Sequence, residues 1–428
     1  MNVFIYLILI YFGLEFLNLM YYFKIKNSIS KKTYYYGDRI EKSIIKDFFK
    51  KSELEFFKRH IIIDNNNQID LEEIGLISMI RLLLSYLFNK SLSQSNYINL
   101  KTVYYSVLKM KEKLRITLNN YKYNDNNDIF LRFGKNSIHA YYKPLIITFI
   151  SLVIRFTYEQ FLKYNNFQNY YSSNTNVNYW YKINSKNDDN PIMFIHGFGI
   201  GIIPYLNYII NLSKNNTIIC PVLPNISNVY FHPLKWNVKK NDFFPDLKLL
   251  YQEINDILEI HKINKINIIA HSFGTFILSG LILNPTIRKK IIRKIFIDPV
   301  CFHSDRYKIY KSVDRIKKIR ENTCGSIIKH YLLYYIIYLD VYLKYATQRN
   351  LFSMDYLWGN YRYIDNNTLV VLSEKDDITP SFAIYNDMVK SSKKNNIVWL
   401  ENAYHGDLFM NNKWNDLLNN RINTFINK

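Results

Sequence analysis

Hydrophobic and polar positions divide the chain into three textures. Met1–Phe23, MNVFIYLILIYFGLEFLNLMYYF, is nearly all apolar, and a basic stretch, Lys24–Lys32, follows it. As a helix, roughly 22 residues at about 1.5 Å each reach about 33 Å, enough to cross the hydrocarbon core of a bilayer. No basic segment precedes the run and no small-x-small cleavage site follows it. The pattern therefore predicts a retained anchor over residues 1–23, with an interfacial helix and a signal peptide as open alternatives. Glu15 is the difficulty, because an acidic residue near mid-span costs about 2.5–3.5 kcal/mol on insertion scales. A second apolar run, Pro144–Ile154, ends at Arg155. It is too short to span, and predicts a buried or re-entrant helix.

Between residues 24 and 173 the apolar positions recur at intervals of three and four. Glu41–His60 and Leu71–Phe88 read as amphipathic helices, the second with Asp70 placed to cap it, while residues 119–127 are polar and loop-like. From about Asn174 the pattern changes again. Apolar runs occur at Ile192–Ile195, Thr217–Val222, Ile266–Ile269, Lys294–Ile297, Thr368–Leu372 and Ile397–Leu400. They are short, rich in Ile and Val, non-alternating and separated by helical stretches, as strands buried on both faces are. The prediction is an α/β domain over residues 174–428 with a mostly parallel sheet, whose ligands bind at the carboxyl ends of the strands.

Composition adds less. The 428 residues are 48% hydrophobic, and 56 Lys+Arg against 35 Asp+Glu give a net charge of +21. Heavy use of Asn, Ile, Lys and Tyr is expected of AT-rich coding and accounts for part of that charge; an anionic membrane surface is the other reading. No zinc-finger spacing, RNP-like aromatic motif or long basic tail points to nucleic acid. Cys220, Cys301 and Cys324 form no CxxC pair or zinc set, so neither a disulfide framework nor a metal is expected, and no cofactor motif is present. Sequons such as Asn211-Leu212-Ser213 and Asn225-Ile226-Ser227 are expected by chance in so Asn-rich a chain.

Four motifs carry chemistry. In INIIAHSFGTF, Ser272 follows an apolar strand and precedes a segment apolar enough for a buried helix. That is the setting of a nucleophile elbow, whose tight turn needs small residues two before and two after the serine; Ala270 and Gly274 supply them. PIMFIHGFGIGIIPY runs a strand into His196-Gly197-Phe198-Gly199, a loop whose backbone N–H groups can face a substrate oxygen. The expected oxyanion donors are the amides of Phe198 and of Phe273, just after the serine, with His196 structural. TLVVLSEKDDITP ends a strand in Asp376 and Asp377, and NIVWLENAYHGDL places His405-Gly406 after another. The order Ser272, Asp376, His405 suits a nucleophile, a carboxylate that orients the imidazole, and a general base. Asp298, ending the strand in FIDPV, and Asp377 remain alternative acids. His261, His271, His303 and His330 read as structural.

On these motifs the chain resembles the α/β-hydrolase superfamily over roughly residues 174–428, and is similar to membrane-anchored α/β-hydrolases of fungi and large DNA viruses. The resemblance implies an eight-stranded, mostly parallel sheet with a cap inserted after the sixth strand, at about residues 301–362. Ala270 stands where Gly is usual, and Ser373 where Gly is common near the acid; neither removes a chemical group. Within the expected cap, His330–Tyr345 is dominated by Leu, Ile and Tyr and reads as a helix over the site or a lipid-facing lid. The expected activity is that of a membrane-anchored serine esterase or lipase acting on a hydrophobic acyl ester. An acyltransferase or thioesterase would use the same residues, and a non-catalytic scaffold is the rival class. Lys24, Lys26, Lys31 and Lys32 predict that the chain after the anchor faces the cytoplasm. The sequence does not give the oligomeric state.

Overall fold

A computed structural model describes residues 2–30, 76–88, 90–114, 140–172, 177–184, 191–223, 226–227, 247–302, 337, 340–341, 343–344, 364–393 and 396–426. The expected helix at Glu41–His60, the loop at 119–127 and nearly all of the expected cap lie outside the described residues. Helix α1 spans Asn2–Ser30, α2 Leu76–Phe88, α3 Tyr97–Leu114 and α4 Leu145–Tyr164. The α/β part follows as β1 (Gln168–Tyr171), β2 (Asn178–Lys182), β3 (Ile192–Ile195), α5 (Leu206–Ser213), β4 (Ile218–Val222), α6 (Leu247–Ile260) and β5 (Ile266–His271). It continues with α7 (Gly274–Leu283), α8 (Pro285–Arg288), β6 (Ile291–Ile297), β7 (Thr368–Ser373), α9 (Ser381–Lys390), β8 (Ile397–Leu400), α10 (Asp407–Met410) and α11 (Asn412–Ile426).

The eight strands form one sheet in the order β1-β2-β4-β3-β5-β6-β7-β8. Only β2 pairs antiparallel with its neighbours β1 and β4; every other pair is parallel. This is the α/β-hydrolase fold. Residues 298–367 separate β6 from β7, which is where the expected cap would insert.

The non-alternating strand sequences have a direct cause. Ile192 and Phe194 of β3 enter the core on one face of the sheet, and Met193 and Ile195 enter the core on the other. On β7, Leu369 and Val371 share the first face, Val370 and Leu372 the second. Side chains point alternately up and down a strand, so a sheet covered on both sides needs apolar residues at every position. One cover is α6, α7 and α9, through residues such as Ile254, Phe276 and Met388. The other is α4, α5 and α11, through Leu162, Tyr208 and Leu418.

Two differences from the sequence pattern bear on the site. The sheet begins at Gln168, upstream of the change in texture at Asn174, and the C-terminal half of α4 belongs to its core through Tyr158 and Leu162. The second apolar run is also not short: α4 is 20 residues long and passes straight through Arg155. Arg155 Nε bonds Glu159 Oε1 at 2.7 Å one turn on, which neutralises the charge that ended the run in the sequence.

Candidate active site

The parallel strands bring the four motifs to one edge of the sheet. Ile195 pairs with Ala270, His271 with Ile297, and Ser373 with Leu400, so the carboxyl ends of β3, β5, β6, β7 and β8 lie level. Ser272 follows β5 directly and α7 starts two residues later. Its φ is +50°, a left-handed conformation that costs a residue with a side chain about 1–2 kcal/mol. The turn is held by Ser272 N–H to Ile297 O at 3.0 Å and by Thr275 N–H to Ser272 O at 2.9 Å. Gly274 is required by space: a Cβ there would lie 2.4 Å from Ile195 O and 2.8 Å from His196 O. Ala270 is buried in the apolar core, where its methyl group packs.

His405 stands between β8 and α10. Its Nε2 is 2.8 Å from Ser272 Oγ, and its Nδ1 is 2.7 Å from Asp376 Oδ2. The other oxygen of Asp376 accepts N–H bonds from Ile378 at 2.8 Å and Thr379 at 2.7 Å, which fixes the carboxylate's aim. Asp377 is exposed. Burial disfavours a charged His405, but the Asp376 carboxylate outweighs it, and with Asp298 and Asp377 pushes the imidazole up to about 9.

Asp298, the other alternative acid, is fully buried with φ +44°, and it holds backbone rather than the His405 ring. Its Oδ1 accepts Ser373 N–H and its Oδ2 accepts Gly406 N–H, both at 3.0 Å. One carboxylate thus ties the end of β7 to the His405 loop. Burial raises its pKa, but the histidines and the Gly406 N–H outweigh that and the net direction is down. His271 Nε2 lies 3.7 Å from Asp298 Oδ2, and its Nδ1 lies 2.8 Å from Tyr205 Oη. Because Tyr205 Oη accepts Gly197 N–H at 3.0 Å, its own proton is free for His271 Nδ1, leaving the ring's proton on Nε2, toward Asp298. Burial lowers the pKa of His271 and keeps it neutral. Nothing in the sequence beyond nearness to the motifs marks Tyr205 or this network.

The HGFG loop is similarly braced. His196 is fully buried; its Nε2 accepts Leu223 N–H at 2.9 Å, which puts its proton on Nδ1, 2.7 Å from Gly197 O. Burial holds its pKa down at about 4. Gly197 N–H is taken by Tyr205 and Gly199 N–H by Ile226 O at 2.8 Å. Among the described residues, the amides of Phe198 and Phe273 have no acceptor. These are the two amides expected to face an oxyanion.

One atom each from His271, Asp298 and His405 lie within 4.8 Å of one another, a spacing that a metal ion could use. Both His405 nitrogens are engaged by Ser272 and Asp376, however, and both Asp298 oxygens accept backbone N–H bonds. Two of the three donors are thus already engaged in hydrogen bonds, while His271 Nε2 has none and lies 3.7 Å from Asp298 Oδ2. His261 lies elsewhere, against Tyr179 and Tyr181; His303 and His330 lie outside the described residues.

No protein-family model and no curated protein matches the chain. Solved structures do resemble it. A bacterial membrane phospholipase A is 13% identical with a TM-score of 0.48, covering 66% of this chain and 93% of its own. A carboxylesterase of the Thaumarchaeon Nitrososphaera gargenis is 15% identical with a TM-score of 0.44 and coverages of 61% and 99%. A carboxylesterase from Bacillus subtilis is 14% identical with a TM-score of 0.45 and coverages of 65% and 98%. The chemistry of the site rests on the chain's own side chains.

Proposed function

We propose that this chain is a membrane-anchored serine hydrolase that cleaves a hydrophobic acyl ester through an acyl-enzyme. The observation that carries the reading is the relay Ser272 Oγ–His405 Nε2–His405 Nδ1–Asp376 Oδ2, at 2.8 and 2.7 Å, beside two unengaged amides. His405 removes the Ser272 proton as Oγ attacks the ester carbonyl. The new oxyanion is held by Phe198 N–H and Phe273 N–H. As the tetrahedral intermediate collapses, His405 gives that proton to the departing alcohol and the acyl group stays on Oγ. Water, deprotonated by the same imidazole, then releases the acid and restores Ser272. Asp376 stabilises the imidazolium in both halves. No step requires a cofactor or metal.

A fluorophosphonate probe tests this directly. The folded, detergent-solubilised protein should be labelled once, at Ser272, and failure to label would leave the scaffold reading in its place. A pH profile tests the base. Proton removal needs neutral His405, so turnover is present above its pKa and lost as pH falls through it. With that pKa raised from 6.5 toward 9, the acid limb of kcat/KM should lie on the alkaline side of 6.5. A limb at or below 6.5 would mean that the carboxylate does not act on the imidazole.

The anchor belongs to the same proposal, as does kinship with membrane-anchored hydrolases of fungi and large DNA viruses. The α1 residues Phe4–Asn27 form a 24-residue apolar stretch that is largely exposed. In this reading a helical region from residue 24 leads into the sheet that begins at Gln168, a cap lies at about 301–362, and Lys24, Lys26, Lys31 and Lys32, which follow the apolar run, favour the cytoplasmic side for the enzyme. Expressed in a eukaryotic cell, the protein should show no glycosidase-sensitive mass shift. Glycans at Asn211 or Asn225 would reverse the topology.

A further inference from the structure

Glu15, the costly acid of the anchor, has a structural occupation. Its carboxylate caps α4: Oε2 accepts Leu145 N–H at 3.1 Å, and Oε1 accepts Tyr142 O–H. Asn18 Nδ2 donates to Lys143 O at 3.1 Å, and Tyr22 O–H to Ala140 O. These α1 residues form one polar stripe at helical spacing, and it binds the segment leading into α4. A carboxylate at a helix N-terminus is favoured both by the free N–H groups and by the helix dipole.

Depth follows from this contact. Glu15 lies near the middle of the Phe4–Asn27 stretch. If α1 crosses a bilayer, the first residue of α4 therefore sits near the midplane. From Leu145 to Tyr158, where α4 enters the protein core, the helix rises about 20 Å, close to the roughly 15 Å of one leaflet once tilt is allowed.

The surface of α4 fits that depth. Ile146, Phe149, Val153 and Phe156 lie along one face, with Phe149 61% and Phe156 63% exposed. Up to Leu162 its only charges are Arg155 and Glu159, which pair with each other. Ser151 and Thr157 turn their hydroxyls back onto the carbonyls of Ile147 and Val153, both at 2.9 Å, and Thr148 is directed to Pro144 O. The helix thus meets its own polar needs, as hydrocarbon demands. Exposed Tyr164 stands at its C-terminal end, away from the midplane. A different face carries Ile147 and Ile154, which pack with Phe198 and Ile200 of the HGFG loop against Ile337 and Leu343.

We propose that the N-terminal half of α4 is a half-span embedded in the cytoplasmic leaflet, and that it opens the site to an ester whose acyl chain lies in that leaflet. This rests on the anchor reading and deepens it: the bilayer becomes the route to Phe198 rather than only the place of attachment. The net charge of +21 suits a chain held at an anionic leaflet.

The test uses the full chain, with Cys324→Ser, reconstituted in vesicles of phosphatidylcholine and phosphatidylserine. Single cysteines introduced as Phe12→Cys on α1, Phe149→Cys on α4 and Leu417→Cys on α11 each carry an environment-sensitive fluorophore. Lipids bearing a doxyl group on the acyl chain should quench the label at 149 severalfold, as at 12, and leave the label at 417 unaffected. Quenching at 12 but not at 149 overturns the half-span while the anchor survives. A label at 149 shielded from water yet not quenched means that protein covers the face, which also overturns it. No quenching at either position removes anchor and half-span together. Because the readout is independent of turnover, it also separates this proposal from the catalytic one. In a second arm, the double variant Phe149→Ser, Phe156→Ser should lower hydrolysis of a vesicle-borne ester about tenfold. It should leave a short soluble ester in detergent unchanged; equal loss on both substrates would overturn the route.

Discussion

Ser272→Ala should lower ester turnover by about 10⁶-fold while the protein remains folded. The mechanism explains the size. Without Oγ no acyl-enzyme forms, and His405 and Asp376, however well placed at 2.7 Å from each other, have no nucleophile of their own to activate. What survives is the contribution of the Phe198 and Phe273 amides and of substrate binding. The substitution also removes the hydroxyl bond to His405 Nε2 and nothing else in the turn, since the Ile297 and Thr275 bonds use the backbone of residue 272. Release of p-nitrophenol from a short-chain ester, measured beside a thermal melt, reads both effects. A loss below about a hundredfold in a protein with an unchanged melt would sink the covalent route.

The two buried carboxylates should separate cleanly. Asp376→Asn is expected to cost on the order of 10⁴ in kcat, because an amide facing His405 Nδ1 favours the wrong tautomer and leaves the imidazolium without a counter-charge. Its two bonds from Ile378 and Thr379 fall on an oxygen that Asn retains, so the melt should move little. Asp298→Asn has the opposite profile. Each of its oxygens accepts a backbone N–H, and an amide nitrogen in place of one would face a donor, at about 1–3 kcal/mol of stability. Turnover would fall only through slackened placement of His405, by up to about 10². Kinetics and melts of both variants decide it, and a larger kcat loss at Asp298 would hand it the role given to Asp376.

The strands that position the site were legible because burial on both faces leaves an unmistakable run of Ile and Val; β3, β5, β7 and β8 all read that way. The first two strands, β1 and β2, did not, since QNYY and NYWYK draw on Tyr and Asn, and only their antiparallel pairing makes them part of the sheet. The length of α4 was hidden by Arg155, whose charge looks like a boundary until its partner one turn away is known. Of the Asp residues at adjacent strand ends, Asp376 was preferred on motif and chain order, but Asp298 could not be dismissed from sequence. Which carboxylate meets an imidazole depends on a turn geometry that Asx bonds set and composition does not display. The occupation of Glu15 was invisible for a simpler reason: its partners lie far along the chain.

That separation has a consequence for synthesis. Leu145 follows Glu15 by 130 residues, and chains grow at about 5–20 residues per second. Helix α1 therefore leaves the ribosome roughly 6 to 26 s before the backbone that caps onto it exists. During that interval α1 must hold its acid among lipid, translocation machinery or water, and any commitment to the bilayer is made by an incomplete helix pair. A substitution at Tyr142 or Ala140 would leave this early interval untouched and act only afterwards, on whether the finished chain docks against α1.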